Sequence, residues 1–124
     1  MIQYSLEIPF KSSVRVLYSF IASPSGLSDW FADQVNLKGK HYIFVWDGYP
    51  QEAKVLSKKN NHHIRFQWIE EEDYPFFELK IVVDAITNDV ALVITDYADD
   101  EEDVEDGKRL WQKQLTKLKG HIGS

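Results

Sequence analysis

The sequence contains no cysteine, and this absence excludes several kinds of chemistry. Without a single thiol in its 124 residues, the chain can form no disulfide, thiolate nucleophile or Cys-ligated zinc site. The compartment stays open on this ground, because a cysteine-free protein can function in any of them. We therefore expect no redox chemistry from the protein itself.

Long apolar runs and catalytic motifs are also missing. No apolar stretch approaches the roughly 20 residues needed to cross a bilayer, and the N-terminal segment MIQYSLEIPF alternates instead of forming a signal-peptide core. The chain has no Gly-rich phosphate loop, no G-x-S-x-G elbow and no H-E-x-x-H helix. These absences predict a soluble, cytoplasmic protein with no cofactor, no metal and no catalytic residues.

Positive charge is scarce relative to negative charge, which bears on possible partners. The formal net charge is -6, whereas a phosphate-binding surface normally needs a basic balance. The sequence therefore predicts no nucleic-acid partner. Residues 70–73 and 99–106 hold 11 of the 20 acidic residues, which leaves room for a moderately basic face elsewhere.

Aromatic residues, by contrast, are abundant. Four Trp, six Tyr and seven Phe make up 14% of the chain, and 44% of it is hydrophobic. Each large ring buries enough area to dominate a core or to line a cavity. This length and composition predict one domain over residues 1–124 with one core.

Periodicity predicts an α+β architecture in which helices precede and follow a sheet. Apolar residues alternate in residues 2–10, as in a strand with one buried face. Helical spacing then predicts a helix that starts at Ser12 or Ser13 and stops before Pro24, and a second short helix over residues 24–31. Residues 33–97 alternate between turn signals, including Asp47-Gly48, Pro50 and residues 58–61, which predicts an antiparallel meander of about six strands.

The last segment predicts a long helix from about Asp103. Val104, Trp111, Leu115 and Leu118 recur at helical spacing. Acidic residues open this helix and lysines follow, an order that suits its dipole. Only this helix can fill the concave side of the sheet.

This order of elements resembles the START-like superfamily, also called SRPBCC or helix-grip proteins. Four stretches carry the resemblance: IPFKSSVRVLYSFIASPSGLSDWFAD, GKHYIFVWDG, HIRFQW, and TDYADDEE followed by W-x3-L-x2-L at Trp111, Leu115 and Leu118. The superfamily includes the birch-pollen allergen, polyketide cyclases and the family of the Hsp90-ATPase activator, and the chain is most similar to small bacterial members of the last. The resemblance implies a curved sheet of six to seven strands around a long C-terminal helix, with two short helices after the first strand.

In START-like relatives the space between sheet and long helix is the ligand cavity, so the resemblance implies a pocket there. The aromatic alternation of the predicted strands faces this space, and so does Asp96, which shares a face with Leu92 and Ile94. The predicted pocket residues are Tyr42, Phe44, Trp46, Phe66, Trp68, Phe77, Trp111, Leu115 and Asp96. Two alternatives remain: the aromatic side chains interdigitate as a core, or they line an open apolar pocket.

Other polar residues favour a structural interpretation over a functional one. Adjacent strand residues point to opposite faces, so His62 and His63 are expected to be a surface pair rather than metal ligands, and His41 has no partner at ligand spacing. Residues 99–106 do not fit a calcium loop, since Gly107 falls too late and no closing Glu follows. Asp96 itself is expected to lie at a frayed strand end, hydrogen-bonded near the start of the last helix.

Three functions remain open at this point. The favoured one is non-enzymatic binding of an apolar small molecule or lipid between sheet and helix. The second is a protein-interaction module, similar to co-chaperone relatives, whose partner would be another protein. The third and least favoured is a cyclase-like enzyme using Asp96, Tyr42 or His41, since no coherent acid-base pair is evident.

Overall fold

A computed structural model describes residues 1–71 and 73–122, which form a seven-stranded antiparallel sheet with three helices. The acidic stretch 70–73 includes Glu72, which lies outside this description, as do Gly123 and Ser124. The elements are β1 (Ile2–Phe10), α1 (Val14–Ala22), α2 (Pro24–Trp30), β2 (Gln34–Lys38), β3 (His41–Trp46), β4 (Tyr49–Lys59), β5 (His63–Trp68), β6 (Phe77–Val83), β7 (Val90–Ala98) and α3 (Glu101–Ile122).

The sheet confirms the predicted fold class. Its strand order is β1-β7-β6-β5-β4-β3-β2. Each strand from β2 to β7 pairs with the next along the chain, and the last of them, β7, also pairs with β1. The pairing of β1 with β7 sets Tyr4 directly opposite Asp96. The sheet is curved, and α3 packs across it against β1, β7 and α2. This is the helix-grip arrangement.

Serine and proline set the boundaries of the two short helices. The Ser13 side chain accepts a hydrogen bond from Val16 N at 3.1 Å and caps α1. Ser23 ends α1 and caps α2 by accepting from Gly26 N at 3.0 Å. Pro24 follows in the first turn of α2, where its missing N–H costs nothing. These local signals explain why the sequence placed both helices almost correctly.

A tight hairpin joins β3 to β4 and fixes the position of Trp46. Asp47 and Gly48 adopt φ values of 51° and 82°, as the two central residues of a hairpin turn of this twist require. The predicted turn at Asp47-Gly48 is confirmed. Pro50, however, lies inside β4 opposite Val45 rather than in the turn.

The helix α3 begins two residues earlier than predicted. Its first turn is acidic, and Asp100 Oδ1 accepts a hydrogen bond from Asp103 N at 2.8 Å, so Asp100 satisfies a free N–H group at the helix start. The helix then runs for 22 residues. Its buried stripe of Val104, Trp111, Leu115 and Leu118 faces the sheet as predicted.

Among the helices in residues 1–71 and 73–122, none combines the length and the apolar character needed to cross a bilayer.

Candidate functional site

Aromatic side chains fill most of the space between the sheet and α3. Phe44, Phe66 and Phe77 are at most 1% exposed, and the ring centroids of Phe66 lie 5.5 Å from Phe44 and 5.1 Å from Phe77. Tyr42 and Leu115 are also buried. Trp111 is buried as well, at 6% exposure, so six of the nine residues predicted for the pocket lie in the packed core.

Trp46 and Trp68 lie at the edge of this core and are only partly buried. They are the last residues of β3 and β5, and their ring centroids are 6.1 Å apart. Trp68 also stacks on Phe77, with centroids 5.0 Å apart. Alternation placed both indoles on the concave face, but their position at the strand ends leaves part of each ring uncovered.

A groove of about 1040 Å³ opens beside these two indoles. It lies between the end of α2, the strands β3 to β5 and the middle of α3. Trp46, Trp68, Trp111 and Asp96 line it, so the structure places four of the predicted residues there. The groove is open to solvent along one side, in contrast to an enclosed cavity.

Phe31, which the sequence did not single out for the site, lies among the aromatic residues of the groove. Its ring stacks on Trp111 at 5.4 Å and meets Trp46 edge-on at 5.3 Å. Its carbonyl oxygen accepts hydrogen bonds from Trp46 Nε1 and Gln114 Nε2, each at 2.9 Å. One backbone carbonyl thus ties β3 and α3 to the end of α2. The only available sequence signal was an aromatic residue at the end of the predicted second helix.

Asp96 forms the polar centre of the site. Its Oδ2 accepts hydrogen bonds from Trp111 Nε1 at 2.8 Å and Tyr4 Oη at 3.3 Å. Its Oδ1 accepts from Tyr97 N at 2.8 Å and from the Tyr74 hydroxyl. Donors from β1, β7, the loop before β6 and α3 therefore converge on one carboxylate, and the expectation of a frayed strand end was wrong. Tyr4 and Tyr74 were missed, because neither periodicity nor spacing connects them to Asp96.

Burial raises the pKa of Asp96 to about 6, although the hydrogen bonds from Trp111, Tyr97 and Tyr4 act in the opposite direction. The pKa of Tyr4 is raised in turn. Burial raises it most, and the Asp96 charge and the hydrogen bond to Asp96 raise it further. Four donors occupy the four acceptor positions of an ionised carboxylate. Asp96 is thus built as an anchor for α3 and has little capacity left to take a proton from a substrate.

A second, smaller cleft of about 810 Å³ adjoins the groove. Glu71, Tyr74 and Asp96 line both spaces. Its other side is formed by the start of α3, where Asp103 and Gly107 lie. The two spaces together form one trough that is aromatic at one end and acidic at the other.

The histidines lie away from this trough. His62 is in the turn before β5, not in the strand, so the expectation that it points away from His63 was wrong; their Nδ1 atoms are 2.6 Å apart. His41 contacts Glu52 across β3 and β4, a partner that sequence spacing did not reveal. Within residues 1–71 and 73–122, no group of three or more His, Cys, Asp or Glu could hold a metal ion.

Comparison with known proteins identifies the class. The family model of the START-like superfamily domain matches residues 1–124. A Bacteroides fragilis protein solved by solution NMR is 31% identical, with 98% of this chain and 92% of that chain covered and a TM-score of 0.65. The chain therefore belongs to the START-like superfamily.

Two more distant structures share the fold alone. The Aha1 dimer from Colwellia psychrerythraea is 16% identical, covers 98% of this chain and 96% of its own, and has a TM-score of 0.77. The Bacillus halodurans protein BH1534 is also 16% identical, covers 98% and 97%, and has a TM-score of 0.79. A search of curated proteins finds no significant match.

Proposed function

We propose that this single-domain, cytoplasmic protein binds a small molecule with an aromatic or apolar body in the open groove, without catalysing a reaction. The observation that carries the proposal is the pair Trp46 and Trp68, whose partly exposed rings lie 6.1 Å apart beside a groove of about 1040 Å³. Ligand pockets of drug-sized molecules typically measure about 300–1,000 Å³ and combine aromatic walls with a few polar groups.

Exposed aromatic surface at this position is costly unless something covers it. Removing apolar surface from water contributes about 25 cal/mol per Å², and an indole offers more such surface than any other side chain. A planar ligand lying against Trp46 and Trp68 would recover this free energy, whereas Trp111 is only 6% exposed and adds little. Because the core beneath is filled by Phe44 and Phe77, we expect the ligand to lie on the aromatic core rather than within it.

Polar groups around the groove can orient such a ligand. Three of the four indole N–H groups have acceptors, whereas that of Trp68 has none among the described residues. Trp68 Nε1 can therefore donate to an acceptor on the ligand. Gln51 and Tyr74 also line the groove and supply further polar contacts.

The first test is thermal unfolding of the purified protein against fatty acids, sterols, isoprenoids, flavonoids and polyketide-like aromatics. A ligand that binds only the native state at about 100 times its Kd stabilises by about 2.7 kcal/mol, which corresponds to a rise in Tm of several degrees. Trp68→Ala should abolish the rise. Tyr49→Ala is the matched control, because Tyr49 is an aromatic residue of the β3–β4 hairpin that is 76% exposed.

A protein-interaction module is the second candidate. It is favoured by the dense packing of Phe44, Phe66 and Phe77, which fill the space between sheet and helix with side chains. If no compound in the panel raised the Tm of the unmodified protein, this result would contradict ligand binding and favour this second function. A cyclase-like reaction has less support, since the acceptor positions of Asp96 are occupied.

A further inference from the structure

The charge around the aromatic groove is strongly unequal. Five carboxylates line it, namely Asp29, Asp33, Asp47, Glu71 and Asp96, against the two ammonium groups of Lys113 and Lys117. Among the described residues, none of these seven side chains forms an ion pair within 4 Å. A ligand lying in the groove therefore meets mainly unpaired negative charge.

The adjoining cleft extends this negative charge toward the start of α3. Beyond the shared Glu71 and Asp96, it is lined by Glu70, Asp73, Asp99 and Asp103. Repulsion from Asp100, together with burial and the neighbouring Asp99, Asp106 and Glu102, raises the pKa of Asp103 at the edge of this cleft. Positive charge placed in this cleft would relieve that repulsion.

Charge also changes sign along α3, so the two ends of the trough differ in charge. Asp103 lies at the acidic end and Lys117 at the other. These positions are 14 residues apart, or about 21 Å at the helical rise of 1.5 Å per residue. A ligand with charge at one end would therefore bind in one orientation.

We infer that the ligand is an organic cation, with its aromatic or apolar body on Trp46, Trp68 and Trp111 and its ammonium or guanidinium group directed toward Glu71 and the acidic cleft. This inference rests on the proposed function, because it specifies the charge of the molecule that occupies the same groove. Aromatic faces themselves attract a cation within about 6 Å of a ring centroid, so the walls and the carboxylates favour the same ligand charge.

Three probes with one aromatic body and different charge test this inference: 1-naphthylmethylamine, 1-naphthylmethanol and 1-naphthoate. Each is titrated at pH 7 into ¹⁵N-labelled protein, and Kd is taken from the shifts of the indole N–H signals of Trp68 and Trp111. We expect the amine to bind roughly fivefold or more tightly than the alcohol, and the carboxylate to bind most weakly. The preference for the amine should shrink at high salt, because exposed charges are screened.

Charge variants locate the effect. Glu71→Gln and the double variant Asp99→Asn with Asp103→Asn should each reduce the amine preference at least twofold while leaving the Kd of the alcohol nearly unchanged. Glu105→Gln is the control, because Glu105 is an exposed carboxylate of α3 that lies outside both groups of lining residues. It should leave the preference intact.

The outcomes separate the two proposals. Equal binding of all three probes, or tighter binding of naphthoate, would overturn the cation inference and leave groove binding standing. A failure of all three probes to shift either indole signal would contradict both.

Discussion

At the scale of single residues, Asp96 is the group through which the site and the fold depend on each other. Its carboxylate accepts from Tyr4 in β1 and from Trp111 in α3, so it holds the helix at a fixed height above the sheet. The same indole stacks on Phe31 in the groove wall. The shape of the groove therefore depends on hydrogen bonds that a ligand need not touch.

We predict that Trp111→Phe will destabilise the protein by about 2 kcal/mol, the usual cost of losing a hydrogen bond to a charged group. The phenyl ring can still stack on Phe31, but Asp96 loses a donor that lowers its pKa. The pKa of Asp96 should therefore rise above about 6. Urea unfolding and carboxyl NMR titration measure the two effects.

Trp30→Phe is the matched control for this substitution. The Trp30 indole donates to a neutral backbone oxygen, Phe20 O, at 2.8 Å. This variant should cost about 1 kcal/mol and leave the titration of Asp96 unchanged. An unchanged Asp96 pKa in Trp111→Phe would contradict the role assigned to the indole.

Alternation predicted which side chains share the concave face but not how far each is exposed. Phe66 and Trp68 differ by two positions in one strand, yet Phe66 is fully buried and Trp68 lines the groove. The difference arises from which part of β5 the helices cover, α1 among them, and this is a tertiary contact. Tyr74 was missed for the same reason, since it lies in a loop and meets Asp96 only after the sheet has formed.

At the scale of elements, the sequence predicted the helices and strands well because their signals are local. The caps at Ser13 and Ser23 and the Asp47-Gly48 turn act within a few residues. The docking of α3 could not be predicted in this way. It depends on a close contact between Gly107 and Tyr4, residues that are distant in sequence.

We predict opposite effects for two glycine substitutions in α3. A Cβ added at Gly107 would lie 2.2 Å from the Tyr4 hydroxyl, whereas one at Gly120 would meet nothing within 4 Å. Gly120→Ala should stabilise by up to about 1 kcal/mol through helix propensity. Gly107→Ala should instead destabilise by about 1 kcal/mol or more, because Tyr4 must move away from Asp96.

Chemical denaturation of both variants gives the comparison within one helix. A gain in stability for Gly107→Ala would show that α3 can shift away from Tyr4 without loss, which would contradict the tight docking of the helix. Weaker binding of the naphthyl probes by Gly107→Ala, with Gly120→Ala unchanged, would connect this docking to the groove.

At the scale of the whole molecule, the protein carries a net charge of -6 at pH 7 and holds one partly buried carboxylate, that of Asp96, whose pKa lies near 6. Two other carboxylates show the usual depression, since hydrogen bonds lower the pKa of partly exposed Glu52 and of exposed Asp84. Glu52 and Asp84 stabilise the folded state at neutral pH, and this stabilisation is lost only as the pH falls below the ordinary pKa of a carboxyl group. Asp96 therefore acts in a different pH window from Glu52 and Asp84 and in the opposite direction.

We predict that the protein is more stable near pH 5 than near pH 7. Between the ordinary pKa of 3.8 and the folded value of about 6 for Asp96, the folded state binds more protons than the unfolded state, so stability falls as the pH rises through this window. A shift of this size corresponds to about 3 kcal/mol over the whole window, of which about half falls between pH 5 and pH 7, and partial exposure of the group reduces the change expected between these two pH values to about 1 kcal/mol. Urea unfolding from pH 4 to pH 8 measures the slope, and Asp96→Asn should flatten it whatever its absolute stability. The same slope in Asp96→Asn and in the unmodified protein would assign the pH dependence to the overall negative charge instead.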